Sequence, residues 1–243
     1  MKTALVIAYK GTNYAGWQVQ DKFPSVQKTL QNAIEGLLGR PVKLSGCSRT
    51  DSGVHAREYW CHIDSLAGIP DEKLPLALNL RLPDDISVLK SLTVDDSFHA
   101  RYSALGKQYV YVIRNSHIKD PFAPDMSFLY KKPLDADGLT RTGEAFLGTH
   151  DFVSFMAKRS KIKDTVRTVT EFRAIREGEY VKIYVSANGF LYNMVRIMVG
   201  TALEISSGRI NSDIKQITEG RDRRLAGRTL PAQGLFLNRV FYR

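Results

Sequence analysis

The residue types best suited to chemistry are concentrated in one short stretch, residues 48–56 (SRTDSGVHA). It carries a guanidinium, a carboxylate, hydroxyl groups and an imidazole between two segments with strand-like alternation. Asp51 can hydrogen-bond its own backbone two residues on and Gly53 accepts a positive φ, so the stretch predicts a turn between strands. Turns on a strand framework often carry catalytic groups. The same residues also suit a purely structural Asx-turn in which Arg49 pairs with Asp51, and the residue types alone leave both interpretations open.

Two residues elsewhere could complete such a site. Arg196 interrupts the apolar run 194–199. A guanidinium there requires an anionic partner, because an unpaired buried charge is costly, and Asp51 is the candidate. Tyr109 lies on a β-prone segment, 108–113, where its ring either stacks on a nucleobase or packs in the core.

The charge balance favours a polyanionic partner. The chain has 243 residues and a net charge of +10, and the excess is concentrated in the second half, where residues 122–243 carry 20 basic and 13 acidic groups. One segment, 158–167, holds five basic residues in ten and predicts either phosphate binding or a solvated loop. Its members are Lys158, Arg159, Lys161, Lys163 and Arg167. A second arginine cluster, 221–228, is equally compatible with helix ends and solubility.

Several classes of protein are disfavoured by what the sequence lacks. Two cysteines give neither a disulfide framework nor a zinc quartet, and the five histidines include no pair at helical i, i+4 spacing. P-loop and G-x-G-x-x-G motifs are absent. No apolar run approaches the length of a membrane span, and the first ten residues are too quickly polar for a signal peptide. We therefore expect a cytoplasmic protein with no metal, no organic cofactor and no membrane association.

The pattern of apolar residues predicts two similar halves. In the first, strands at 2–10, 42–48, 58–64 and 86–94 alternate with helices at 26–38 and 70–80. In the second, strands at 108–113, 165–176, 180–187 and 235–242 alternate with helices at 135–147, 190–206 and 211–219. Each order is β-α-β-β-α-β, the ferredoxin-like unit, with one extra helix inserted in the second half. We expect an α+β fold with domains at 1–103 and 104–243, two sheets side by side, and an RNA-binding cleft between them.

Seven blocks of the sequence, in register along nearly the whole chain, resemble the tRNA pseudouridine synthase A family. The blocks are 11–18 (GTNYAGWQ), 49–56 (RTDSGVHA), 98–102 (FHARY), 107–111 (KQYVY), 150–155 (HDFVSF), 190–196 (FLYNMVR) and 233–237 (QGLFL). The resemblance implies isomerisation of uridine to pseudouridine at positions 38, 39 and 40 of the tRNA anticodon stem-loop. It also implies a homodimer, with neither metal nor organic cofactor.

The resemblance also assigns roles to residues. Asp51 matches the catalytic aspartate, which acts at C1′ of the sugar or on the base, or assists a glycal route. Arg49 matches the arginine that displaces the target base from its stack. Tyr109 matches the active-site tyrosine that stacks on uracil, and Arg196 the arginine paired with the aspartate. Substrate binding is expected of Arg49, Tyr109 and Leu235. We expect tRNA binding from Arg49 and Arg57 as well as from the basic segment 158–167.

Some positions depart from the family pattern. Lys10 stands where the family usually has Asp, Asn193 where His is common, and Arg228 where a small residue is usual, while residues 57–59 (REY) replace the usual residues after the aspartate motif. These departures bear on the target uridines more than on the chemistry. Two alternatives stay open: a non-catalytic RNA-binding protein on the same scaffold, and a paralogue that modifies other RNA positions.

Overall fold

The computed structural model describes residues 1–64, 69–157 and 162–243. Two compact units are present. Unit 1 consists of Met1–Leu105 together with Leu237–Arg243, and unit 2 consists of Gly106–Phe236. The closing strand, expected in the C-terminal domain, is thus divided between the units, and most of it belongs to unit 1. Among the described residues no helix combines the length and apolarity needed to cross a membrane.

Unit 1 is an antiparallel sheet with two helices. Its elements are β1 (Lys2–Tyr9), α1 (Val26–Leu38), β2 (Ser45–Gly46), β3 (His55–Asp64), α2 (Leu74–Asn79) and β4 (Ile86–Val94), joined by most of β10 (Leu235–Phe241). The strand order is β4-β1-β3-β10, and β2 pairs with β3. Helix α1 begins where the Ser25 hydroxyl accepts the Lys28 N–H and ends at Gly39, whose φ of +65° is left-handed.

Unit 2 places two long strands at the centre of its sheet. Its elements are β5 (Gly106–Asn115), β6 (Phe128–Tyr130), α3 (Ala136–Gly143), β7 (Gly148–Asp151), β8 (Val166–Glu177), β9 (Tyr180–Ala187), α4 (Met194–Ser206) and α5 (Ile214–Glu219). The strand order is β5-β9-β8-β7, with antiparallel pairing throughout, and β6 joins β5 in parallel. Helix α4 is buried along most of its length: nine of its 13 residues are buried, and these are apolar or small. The expected mixture of helices and strands is confirmed.

Several elements are shorter than the sequence predicts, among them the helices expected at 70–80, 135–147 and 211–219, and two cases have a local reason. The strand expected at 42–48 is reduced to Ser45–Gly46, because side chains of α1 take the backbone groups that a ladder would use. Gln27 donates to the Leu44 carbonyl at 2.9 Å and Gln31 to the Val42 carbonyl at 3.0 Å. The helix expected from residue 190 begins only at Met194, since Asn193 has a left-handed φ of +61°.

Candidate active site

Asp51 lies at the start of a tight turn that feeds directly into β3. The Val54 N–H donates to the Asp51 carbonyl at 3.1 Å, which closes a four-residue turn with Ser52 and Gly53 at its centre. Gly53 has a φ of +77°, a conformation that most other residues reach only with strain. The Asp51 side chain is half-buried and the next strand begins at His55. The predicted turn between strands is confirmed.

The segment 11–17 is hydrogen-bonded to this turn. The Gly11 N–H donates to the imidazole Nδ1 of His55 at 2.9 Å, so that ring nitrogen is an acceptor. The Trp17 N–H donates to the Thr50 carbonyl at 3.3 Å. Residues on either side of Asp51 are therefore fixed by a segment about forty residues earlier in the chain, and the aspartate's backbone has little freedom.

Two glycines in that segment allow its backbone to touch the turn. A Cβ on Gly11 would lie 1.9 Å from the Val54 carbonyl oxygen. A Cβ on Gly16 would lie 2.3 Å from the Thr50 carbonyl oxygen and 3.1 Å from the Asp51 carbonyl carbon. Gly16 also has a φ of +92°. Both positions require glycine, because any side chain would push the aspartate turn out of place.

A buried tyrosine supports the turn from the core side. Tyr59 is fully buried on β3, its ring stacks on Trp17 with centroids 4.1 Å apart, and its hydroxyl donates to the Ser48 carbonyl. Burial raises the pKa of the Tyr59 hydroxyl well above its ordinary value, so it stays a neutral donor. Tyr9 adds a hydroxyl contact of 2.8 Å to Thr50. The unusual residues 57–59 thus include a structural tyrosine.

Asp85 anchors the far end of segment 11–17. Its carboxylate accepts from the Tyr14 hydroxyl at 2.6 Å and from the Asn13 amide at 3.1 Å, and its carbonyl accepts the Lys10 N–H at 2.9 Å. Burial, followed by the neighbouring Asp85, raises the pKa of Tyr14. The sequence offered only a pair of acidic residues at a strand end, so this structural role was missed.

The two arginines expected to bind tRNA in unit 1 are both exposed. Arg49 precedes Asp51 by two residues and its side chain faces solvent. Arg57 lies on β3, and its guanidinium donates to the Asn238 amide oxygen at 3.4 Å. Both side chains are accessible to a large polyanion, and the long hydrogen bond to Asn238 orients that of Arg57 only weakly.

In unit 2, Tyr109 packs on β5 opposite Val185. Only 7% of its surface is exposed, and its ring meets Phe190 edge-to-face with centroids 5.1 Å apart. This geometry fixes the ring plane through aromatic packing. Leu235 is 5% exposed at the start of β10. Of the three residues expected to bind substrate, Tyr109 and Leu235 are therefore almost entirely buried in apolar packing, whereas Arg49 is exposed.

Arg196 lies in the first turn of α4, and its guanidinium is oriented from two sides. Its Nε donates to the Leu230 carbonyl at 2.6 Å and its Nη1 to the Asn193 amide oxygen at 2.7 Å. Asn193 combines this contact with a left-handed φ, which Asn tolerates better than most residues. The position where the family commonly has His therefore holds a residue that aims the arginine.

The basic segment is only partly described. Lys158, Arg159 and Lys161 lie outside the described residues, whereas Lys163 is exposed. Arg167 is different because its side chain is 17% exposed, and its Nη1 donates to the Val166 carbonyl and lies 3.8 Å from the Asp164 carboxylate. Of the two described members, only Lys163 presents its side chain openly to solvent.

Comparison with known proteins places the chain in a family. A family model described as tRNA pseudouridine synthase matches residues 144–243. The tRNA pseudouridine synthase A of Acetivibrio thermocellus is 46% identical over 239 residues, covering 98% of each chain. That of Clostridium kluyveri is 41% identical, again over 98% of each chain. The chain belongs to the tRNA pseudouridine synthase A family. The expected family, and with it the enzyme class, is confirmed.

A solved structure gives a weaker match. A chain of the Cbf5–Nop10–Gar1 complex aligns with 81% of this chain and 52% of its own length, at 13% identity and a TM-score of 0.37. The present chain thus spans about half of that protein.

Within this family member, Asp151 organises a contact that the sequence did not indicate. Its Oδ1 accepts from the Thr165 hydroxyl at 2.5 Å and from the Val153 N–H at 3.0 Å, and its other oxygen pairs with Arg221. Burial works to raise the pKa of Asp151, but these partners outweigh burial and lower it. One arginine of the 221–228 cluster is thus structural. Another, Arg228, lies 3.5 Å from Glu204.

Across residues 1–64, 69–157 and 162–243, His, Cys, Asp and Glu side chains form no group of three placed to hold a metal ion.

Proposed function

We propose that this protein converts uridine to pseudouridine at positions 38, 39 and 40 of the tRNA anticodon stem-loop, acting in the cytoplasm as a homodimer without a cofactor. The observation that carries the proposal is the rigid presentation of Asp51. Its turn is held between segment 11–17 and Tyr59, and its carboxylate is half-buried. Family membership supplies the substrate class.

The reaction moves one bond and leaves the atom count unchanged. The N1–C1′ glycosidic bond breaks, the uracil turns, and a C5–C1′ bond forms, while C5 loses a proton and N1 gains one. A carboxylate suits this chemistry because C1′ acquires oxocarbenium character as the bond to N1 lengthens. Asp51 is proposed to act there, whether by attack on the sugar, by attack on the base or along a glycal route. Each route needs the carboxylate held in one place.

The remaining site residues have proposed roles that their settings support. Arg49, exposed two residues before the aspartate, is proposed to occupy the space left by the displaced base. Tyr109 and Leu235 are proposed to bind uracil, which agrees with their rigid apolar packing. Arg196 is proposed to act as the site's fixed cation, since Leu230 and Asn193 already orient its guanidinium.

We propose that both halves of the chain are ferredoxin-like domains, 1–103 and 104–243. The order of elements in unit 1, β1-α1-β2-β3-α2-β4, supports this for the first half. In the second half the corresponding order is β5-α3-β8-β9-α4-β10, with extra elements inserted, although most of β10 belongs to unit 1.

The decisive experiment is Asp51→Asn, which keeps the side chain's shape and removes its charge. We expect no detectable pseudouridine at positions 38–40 of an unmodified tRNA transcript, with tRNA affinity retained. The matched control is Asp84→Asn, the same change at an exposed aspartate of unit 1, which should leave turnover unchanged. Near-normal turnover by Asp51→Asn would remove Asp51 from its role.

Mapping pseudouridine in tRNA from cells that lack the protein tests the substrate. Loss at positions 38–40 supports the proposal. Loss at other positions would identify a paralogue with shifted preference, and no loss would favour a non-catalytic RNA-binding protein.

The basic segment is tested by the salt dependence of tRNA binding. Neutralising Lys158, Arg159, Lys161 and Lys163 together should weaken binding and flatten the slope of log K against log salt, because each lost phosphate contact removes about one unit of slope. Arg167 is left intact, since its partly buried side chain makes local contacts. An unchanged slope would assign the segment to solubility.

A further inference from the structure

An exposed aromatic ring in unit 1 lies on a short turn after β4. Tyr102 is 76% exposed. Its ring packs on the imidazole of His99, with centroids 4.4 Å apart and planes inclined by 39°. The Arg101 guanidinium carbon lies 5.7 Å from the centroid of the same ring. The tyrosine ring thus contacts the His99 imidazole and has the Arg101 cation over it, yet most of its surface stays exposed.

The turn that carries this ring is fixed to the rest of unit 1. The Ala100 N–H donates to the His62 Nδ1 at 3.2 Å, and the Tyr242 hydroxyl donates to the Ala100 carbonyl at 2.5 Å. Within the turn, the Ser103 N–H donates to the His99 carbonyl at 2.9 Å, and the Ser103 hydroxyl accepts the His99 N–H at 3.0 Å. The backbone beneath the ring is thus set by hydrogen bonds from β3, from the residue that follows β10 and from the turn itself.

A ring held this way is suited to stacking. Base–aromatic stacking contributes about 1–3 kcal/mol per base in single-stranded RNA recognition. Holding the turn in advance lowers the entropy lost on binding. Arg101 is exposed beside the ring and can meet the phosphate of the same nucleotide.

We propose that Tyr102, backed by His99 and flanked by Arg101, is a stacking site for an unpaired nucleotide of the bound tRNA. This rests on the proposed function in that the ligand is tRNA, but it assigns a contact outside the residues given to the reaction. The charge of the protein supports an RNA occupant, because the chain carries +10 overall and the Arg101 guanidinium lies over the exposed ring.

The test compares tRNA affinity of full-length variants, with an unmodified tRNA transcript as the probe. Tyr102→Ala should raise Kd about 5- to 150-fold, the range that loss of one stacked base gives. Tyr102→Phe keeps the ring and should stay within about twofold of wild type. Phe122→Ala, the same truncation at a ring that is 96% exposed in unit 2, is the matched control and should leave Kd unchanged.

Further measurements separate this proposal from its alternatives. The single-turnover rate at saturating tRNA should be the same for Tyr102→Ala and wild type, because the ring is assigned to binding. Arg101→Ala should lower the salt slope by about one. An unchanged Kd for Tyr102→Ala overturns the stacking site even if the wild type makes pseudouridine. If Tyr102→Ala left Kd unchanged but altered the mass of the protein in analytical ultracentrifugation, the ring would be assigned instead to a contact between two copies of the protein. If the wild type binds tRNA without modifying it, the proposed function fails while the Kd comparison still decides the stacking site.

Discussion

Gly16→Ala should disable the enzyme while leaving it folded. The new Cβ would lie 2.3 Å from the Thr50 carbonyl oxygen, whereas ordinary C···O contacts are about 3.3 Å, so the backbone at the turn must move by about 1 Å. A misplacement of that size near reacting atoms costs about 100-fold in rate. The positive φ at Gly16 adds about 1–2 kcal/mol of instability. We therefore expect kcat to fall about 100-fold with a moderate drop in Tm.

The assay for this variant is single-turnover pseudouridine formation on a tRNA transcript, with Kd measured separately. The affinity should change little, because segment 11–17 positions the aspartate turn and is not assigned to tRNA binding. Gly36→Ala is the control: it lies within α1, where an added Cβ would meet nothing inside 4 Å, so it should raise stability by about 0.5–1 kcal/mol without affecting the rate. If Gly16→Ala turned over within twofold of wild type, the turn would not need this support and our reasoning about Asp51 would be wrong.

Two further predictions concern stability. Burial, with His99 and Lys2 nearby, lowers the pKa of His62 to about 4. Between pH 6.5 and 4 the unfolded chain therefore binds a proton that the folded chain does not. The free energy of unfolding should fall by about 3 kcal/mol as the pH drops through that window. Urea titrations at several pH values should show a flatter profile for His62→Asn, and an equally steep one would contradict the assignment. Tyr59→Phe keeps the stacking on Trp17 but leaves the Ser48 carbonyl without this donor, which should cost about 1–3 kcal/mol in urea unfolding. A loss below a few tenths would mean that the hydroxyl contributes little.

The parts of the fold that the sequence predicts are those set by local pattern. Helix α1 follows from the spacing of Val26, Leu30 and Ile34 and from its Ser25 cap, and the β8–β9 hairpin follows from alternation across a short turn. The shortening of β2 could not be predicted in this way. It depends on Gln27 and other side chains of α1 reaching backbone groups that are distant in sequence.

The candidate site likewise has features that the sequence predicts and features that it does not. The residue types and turn chemistry around Asp51 are visible in the sequence, and so is the oddity of Arg196 in an apolar run. The supports are not visible, because they depend on pairs far apart in the chain. Gly11 meets Val54 only after the segment docks, and a bare Asp85 gives no sign that it anchors Tyr14. Long-range backbone contact leaves no periodic signal.

The division of β10 between the units has a consequence for biosynthesis. Residues 237–243 complete the sheet of unit 1 beside β3, yet they follow the rest of that unit by more than a hundred residues. At about 5–20 residues per second, the ribosome needs roughly ten seconds to cover that gap. Throughout this interval the edge of β3 that faces β10 is paired, within the described residues, only with the two residues of β2, and open strand edges of this kind favour aggregation of nascent chains. Chaperone demand during translation should therefore be concentrated on the first half of this protein.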